Sequence, residues 1–215
     1  MSFNFAEGTR LHYSNTLASP VTVTAVTNAN PAVATATSHG LVDGDVVLFS
    51  SGWDGANDRV FVVNQLTVDT FEFNGLDTSS TALFPAAGGV GTVRKISNWV
   101  EVPQLLDITM SGGEPRFTTI SLLASRNDIQ VATGFNAATI NFTLAHDPTN
   151  QVQKDLVAIT EVLGKAAIRL LIGGSAPLYG YGNLALSSMP TMSRNQVNQV
   201  SGALSLGGRP TAYGS

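Results

Sequence analysis

The side chains best able to move a proton or hold a metal are histidines and paired carboxylates, and this chain offers few of them. His12, His39 and His146 stand alone in sequence, whereas imidazole catalysis needs a positioned partner. His39 opens a His-Gly-Leu turn, where its ring is expected to bond locally, and His146 precedes a helix start, which suits a surface or cap-adjacent residue. Asp43 and Asp45 flank Gly44, while Asp54 and Asp58 bracket a five-residue loop; such pairs could serve glycoside hydrolysis or bind calcium. Glycine is missing from the position a calcium loop requires, so these acids are expected to form turns through bonds to the backbone. No Gly-x-Ser-x-Gly elbow, phosphate loop or dinucleotide fingerprint occurs. Asn141-Phe142-Thr143 is formally a glycosylation triplet but falls inside a strand pattern. The reading is therefore not an enzyme, with no catalytic residue, no cofactor and no metal.

Binding chemistry has two aromatic candidates. Trp53, in the loop Ser-Ser-Gly-Trp-Asp-Gly, is either a sugar-stacking residue or the hydrophobic plug of a small barrel. Tyr179 and Tyr181 alternate with Gly180 and Gly182, so both rings share one strand face, as core packing or as a subunit interface. Basic residues are scattered without an aromatic platform, which argues against sequence-specific nucleic-acid binding.

The elements that must position these groups are mostly strands, with one helix. Asp147 and Pro148 form a helix start, and Val152, Leu156, Ile159 and Leu163 recur at helical steps before Gly164, which predicts a helix over about 148–163 with one apolar face. Strands are expected at Thr9 to Thr16, Ala166 to Ile172, Tyr179 to Leu186 and Val197 to Leu206, the last closed by Gly-Gly-Arg-Pro. In that last strand Val200, Gly202, Leu204 and Leu206 form an apolar face, and Gln199, Ser201, Ala203 and Ser205 a small polar one. Between residues 21 and 96 the composition shifts to short runs of Thr, Val and Ala bounded by turn residues, which predicts a small all-β module of about six strands.

With 215 residues the chain suits two small domains better than one large one, and only 12% of its residues are charged against roughly 25% in ordinary soluble domains. Something other than water should cover part of its surface. Cysteine is absent, so packing alone must hold the fold, as suits a reducing cytoplasm. Met1 to Asn15 has neither a basic start nor an apolar core, and does not read as a secretory signal. No run approaches the roughly 18 apolar residues of a membrane span. Seven acids face three bases within 21–96, while the remainder balances at eight each, so the whole formal charge of −4 belongs to the inner module. That suits a solvated decoration on a neutral core that meets copies of itself.

The ordered set of Phe142-x-Leu144, the Asp147-Pro148 start, the paired glutamines Gln151 and Gln153, the leucine-bearing helix, the strands after it and Asn98 to Thr109 upstream resembles the lambda-type tail tube proteins of long-tailed phages. Within the insert, SHGLVDGDVV, DTFEFNGLD and GGVGTV resemble small β-barrel modules of phage structural proteins, named after a domain of ubiquitin-activating enzymes. The resemblance implies a β-sandwich or barrel core (1–20 and 97–215) with one helix, and an inserted β-barrel decoration domain (21–96). It implies hexameric rings joined sheet to sheet and stacked around a tape measure protein, with the tail terminator and distal tail or baseplate proteins as further partners. DNA would pass through without binding, often along an acidic lumen; no membrane is involved, and the protein would reside in the virion after assembly in the host cytoplasm. Ser111 to Asp128 matches the stacking loop, with Arg116, Phe117, Ile120, Leu122, Leu123 and Arg126 as its contacts, and is expected to be a mobile arm until rings stack. The small polar face of the last strand, Gln199, Ser201, Ala203 and Ser205, is expected to line the lumen. A virion adhesin reading glycans through Trp53 is the alternative from another class, and an enzyme acting on cell-wall sugar through Asp43 or Asp54 a third.

Overall fold

The computed structural model describes residues 7–123, 126–173 and 177–213. In chain order the strands are β1 (Arg10–Ser14), β2 (Thr16–Leu17), β3 (Val21–Val23), β4 (Ala25–Val26), β5 (Ala32–Thr35), β6 (Val46–Ser51), β7 (Arg59–Gln65), β8 (Thr70–Phe73) and β9 (Gly91–Ser97). They continue as β10 (Val100–Glu101), β11 (Leu105–Ser111), β12 (Pro115–Ile120), β13 (Ile129–Phe135) and β14 (Thr139–Ala145). After the helix α1 (Gln151–Glu161) come β15 (Lys165–Leu171), β16 (Leu178–Leu186), β17 (Gln199–Leu206) and β18 (Thr211–Ala212). The fold is mainly β, and its paired strands run antiparallel throughout the described residues.

The first sheet has the order β10-β1-β15-β16-β17-β14-β11, with β18 also on β16. Its strands send Leu11, Phe142, Leu144, Ile168, Leu170, Leu184, Val200 and Leu204 into one core, which Leu156 and Ile159 of α1 close. Period-two alternation drives this, because β17 buries Val200, Gly202, Leu204 and Leu206 and turns the residues between them outward. Gly180 and Gly182 of β16 and Gly202 of β17 share this face and allow close approach. A Cβ at Gly202 would lie 2.3 Å from the Phe142 ring, and one at Gly180 2.6 Å from Leu206.

The helix is shorter than the sequence suggests, and different residues cap it. Asn150 is the N-cap, its side chain accepting from Val152 N–H at 2.9 Å, while Asp147 instead accepts from the backbone and hydroxyl of Thr149 in the preceding turn. Those bonds hold the Asp147 carboxyl below its usual range. At the other end the positive φ belongs to Leu163, at 51°, not to Gly164. Gly164 N–H returns to the Ile159 carbonyl at 2.8 Å, and a Cβ there would press on Ile159 at 3.0 Å, so closeness rather than handedness selects glycine. Leu163 is consequently exposed, and the buried face reads Gln153, Leu156 and Ile159.

The second sheet, ordered β2-β9-β6-β7-β8-β5-β4 with β3 also on β9, encloses its own core of Phe49, Phe61, Phe71, Phe73, Trp53 and smaller residues. The rings of Phe49 and Phe73 stack at 4.7 Å, and Phe71 meets Phe73 edge to face at 5.1 Å. Chain entry and exit lie side by side, since Leu17 pairs with Ile96 and Val21 with Val93. A third hydrophobic cluster joins the sheets: Val46, Leu48, Val60 and Ile96 from the second meet Ala167 and Tyr179 from the first, with Trp99, Tyr181 and Tyr213 around them.

β12 and β13 form a separate two-stranded hairpin, with Thr118 opposite Val131 and Ile120 opposite Ile129. Within the segment Ser111 to Asp128 that the sequence suggests as a mobile arm, the chain forms β12, and it returns as β13, so that the two make a paired ribbon reaching Phe135. β-branched residues on both sides, consecutive at Thr118, Thr119 and Ile120 and alternating at Ile129, Val131 and Thr133, favour that pairing, which satisfies backbone groups an irregular arm would leave to water.

Candidate functional site

Most of the groups with catalytic potential are engaged in structure, although Nδ1 of His12 and Nδ1 of His146 are buried without a hydrogen-bond partner. His39 is buried; Leu41 N–H donates to its Nδ1 at 3.0 Å and its Nε2 lies 3.1 Å from the Thr67 carbonyl. Asp43 accepts from Gln65 N–H at 2.6 Å, and Asp45 accepts from Val42 N–H and pairs with Lys95 at 2.8 Å. Asp54 starts a single 3-10 turn, and Asp58, with φ at 51°, lies 3.6 Å from Lys165. His12 is held below its ordinary pKa by burial first and by Arg169 next. Among the described residues no three His, Asp or Glu side chains converge as a metal site would require. No described helix is long and apolar enough to cross a membrane.

Trp53 is 2% exposed, wedged edge-on against Phe84, with its Nε1 donating to the Pro85 carbonyl at 2.8 Å. Gly88 and Gly89 let the chain cross its ring, because a Cβ at Gly89 would lie 2.6 Å from the indole. An indole covered in this way presents no face on which a sugar could stack, which corrects the glycan-contact expectation.

Tyr179 and Tyr181 lie at the junction of the two sheets. Tyr179 meets Trp99 and Tyr213 edge to face, and Lys165 sits 5.7 Å above the Tyr181 ring. Sequence reasoning missed Tyr213. Its hydroxyl accepts from Val62 N–H at 2.8 Å and donates to the Asn74 carbonyl at 3.2 Å, while β18 just before it pairs with β16. Burial pushes its phenol up to about 12. A short C-terminal segment thus spans both sheets. Also missed was Gln153, buried beneath α1, whose amide donates to the Ala145 carbonyl at 2.6 Å and accepts from Asp147 N–H.

The outward face of the first sheet divides in two. Its β15 and β16 part, at Ala167, Tyr179 and Tyr181, is covered by the second sheet. The remainder is open and strongly biased in composition. Ser201 and Ser205 are exposed and Gln199 and Ala203 half-buried. By register their neighbours are Thr139, Asn141 and Thr143 on β14, then Asp107, Thr109 and Ser111 on β11, with Asn183 and Ala185 on β16. Asp107 is the one charge among these, and every other side chain is small or amide. This surface ends at β11, whose outer edge has no described strand beside it.

The hairpin is the second open surface. Phe117, Ile120, Leu122, Ile129, Val131 and Phe135 are all exposed, and Leu123 is fully so. Arg116 bonds to Thr133 across the strands, and Asp128 accepts from the Ser121 hydroxyl at 2.7 Å. Arg126 is exposed beside it. So large an apolar display on one element is more than ordinary surface carries.

A family model of the phage tail tube protein (TTP) matches residues 51–215. The match begins at the last residue of β6, so it takes in β7, β8 and β9 of the second sheet together with nearly all of the first. Comparison with curated proteins gives no match.

Proposed function

The chain belongs to the phage tail tube protein family, and we propose that its copies close into hexameric rings of the lambda type, stacked around a tape measure protein as the conduit for DNA. It is a structural component of the virion, and the work is done by geometry rather than by bond-making. Membership of the family brings self-assembly into a tube; six copies per ring and the conduit role go beyond it. The open face of β11, β14, β17 and the end of β16 carries that reading. A channel that DNA must cross freely should offer phosphates few cations to pair with; β11, β14 and β17 bring one carboxylate per copy at Asp107 and no cation to this face, and Lys165, opposite Asn183 at its border, is paired with Asp58. Closing rings edge to edge through β11 would also remove an edge that invites uncontrolled pairing in a free monomer.

Residues 1–20 and 97–215 form the tube domain in this reading, and 21–96 a decoration on the exterior, similar to the β-barrel modules named after ubiquitin-activating enzymes. Two separate cores and adjoining chain ends support the division. The tail terminator and distal tail proteins would meet the two ends of the stack.

Electron microscopy of concentrated protein tests the assembly, and cysteines at Ser201 and Ser205 test the orientation. The chain has no cysteine of its own. Monomers should react fully with a bulky maleimide, and tubes should be protected. Equal labelling in both states would place this face outside the lumen, and failure to form tubes would overturn the assembly itself.

A further inference from the structure

We infer that Arg59 and Arg209 form a binding site for a small organic carboxylate at the seam between the two sheets, where a bound ligand ties the second sheet to the first. The site is independent of the tube reading above. Arg59 opens β7 of the second sheet, and Arg209 lies in the Gly-Gly-Arg-Pro turn that follows β17 of the first. Both line a cleft that encloses about 480 Å³, within the roughly 300–1,000 Å³ typical of small-molecule sites. Leu76, Leu83 and Phe84 wall it from the side of the second sheet, and Phe135, at the end of β13, closes the other side.

The two cations have no counter-charge. Arg59 donates from Nη1 to the Gly55 carbonyl at 2.9 Å and from Nη2 to the Thr211 hydroxyl at 3.3 Å, and its guanidinium lies 4.9 Å from the centre of the Phe61 ring. Its Nε is buried without a partner. Arg209 sits 4.8 Å over the Phe135 ring. All of these partners are neutral, and among the described residues no carboxylate pairs with either guanidinium. Burial first and the charge of Arg209 next hold Arg59 below its ordinary pKa, as expected of like charges brought together away from water. Of the two acids on the cleft wall, Asp54 and Asp77, the second is already engaged by the backbone N–H and hydroxyl of Ser79. A partly desolvated cation without a partner is costly, and the planar fork of a guanidinium matches a carboxylate through two parallel bonds. The cationic end therefore selects one carboxylate, and the leucine and phenylalanine walls select an apolar body to carry it. Asp54 and Asp77 on the same wall disfavour a polyanion such as nucleic acid.

Arginine-directed chemistry provides the test. Phenylglyoxal labelling of the full chain, read residue by residue by mass spectrometry, should be slowed severalfold at Arg209 by phenylacetate. Acetate, which lacks the apolar body, should protect less, and phenylacetamide, which lacks the charge, not at all. Arg10 and Arg194, both exposed and outside the cleft, should label at the same rate throughout. Phenylacetate should also raise the thermal midpoint, because it binds the folded chain. Arg209 is exposed, so Arg209→Gln should fold, and it should need about tenfold more phenylacetate for the same midpoint rise, the loss expected of one charge-assisted bond. Arg59→Lys, which keeps the charge and removes the fork, should weaken the response as well. Arg209 labelling that ignores phenylacetate, or protection shared equally by Arg10 and Arg194, would overturn the site. So would inorganic phosphate protecting Arg209 as well as phenylacetate does, or a midpoint rise that survives Arg209→Gln unchanged.

Discussion

The phenol of Tyr213, which follows a strand paired with the first sheet, reaches the end of the β7–β8 ladder in the second, accepting from Val62 and donating to Asn74 while its ring leans on Tyr179. Tyr213→Phe keeps the ring and removes both bonds, leaving Val62 N–H without its acceptor. It should cost about 1–3 kcal/mol, measured as a lower urea midpoint with an unchanged slope. The same residue gives the protein an alkaline limit. Its folded pKa of about 12 lies above the ordinary value of 10.0, so its contribution is complete below about pH 10 and is lost as pH rises toward 12, where the unfolded phenol ionises first. Tyr13, Tyr179 and Tyr181 are pushed up by burial too, so stability should still fall over this window in Tyr213→Phe, but less steeply than in the wild type. A slope as steep as that of the wild type would show that Tyr213 is not the main titrating group.

Among the elements, the helix separates what sequence pattern can and cannot reveal. Its existence and its buried Leu156 and Ile159 follow from periodicity, but Asp147 and Asn150 are equally good capping types and only the structure chooses between them. Asn150→Ala should destabilise the protein by about 1 kcal/mol and reduce helical circular dichroism, whereas Asp147→Ala should loosen the preceding turn and leave the helix signal intact. The reverse pattern would restore Asp147 as the cap. The long strands were legible for the same reason as the helix, because β14 and β17 alternate between core and outside along their length and β16 does so from Gly182 onward. β18 was not legible, since two residues have no period, and the role of Tyr213 depends on a partner some 150 positions away. The hairpin is not legible as such, because Gly112, Gly113 and Pro115 suggest a flexible exit and its apolar residues lie on both faces, so a ribbon without a core of its own gives no one-sided pattern. The open polar face could be seen in β17 alone, while its extension over β14 and β11 required the pairing register.

For the molecule as a whole, the question is how firmly the two sheets are joined, because an exterior decoration should be separable from the tube it decorates. Separate cores and adjacent chain ends favour removal: Thr16 pairs with Ser97 and Val21 with Val93, so a few residues can close the gap. The shared cluster opposes it, since Ala167, Tyr179 and Trp99 would lose their cover from Val46, Leu48, Val60 and Ile96. Losing the burial of a large side chain of this kind costs about 1.5–3 kcal/mol, and a bared aromatic patch invites aggregation. Replacing residues 21–96 with a short Gly/Ser linker should therefore give a domain that folds but precipitates. Adding Tyr179→Thr and Tyr213→Ser should make it soluble, because both rings then lack the partners they evolved to meet and Thr keeps the strand preference at 179. The covered flank of the first sheet, at β15 and β16, is separated by β17 from the open flank at β14 and β11, so the decoration and the polar face occupy different parts of the sheet. The soluble shortened protein should accordingly still polymerise, into tubes of unchanged inner diameter and smaller outer diameter by electron microscopy. A shortened protein that is folded and soluble yet never forms rings would make the second sheet part of the ring contact, and 21–96 would then be a working piece of the tube wall.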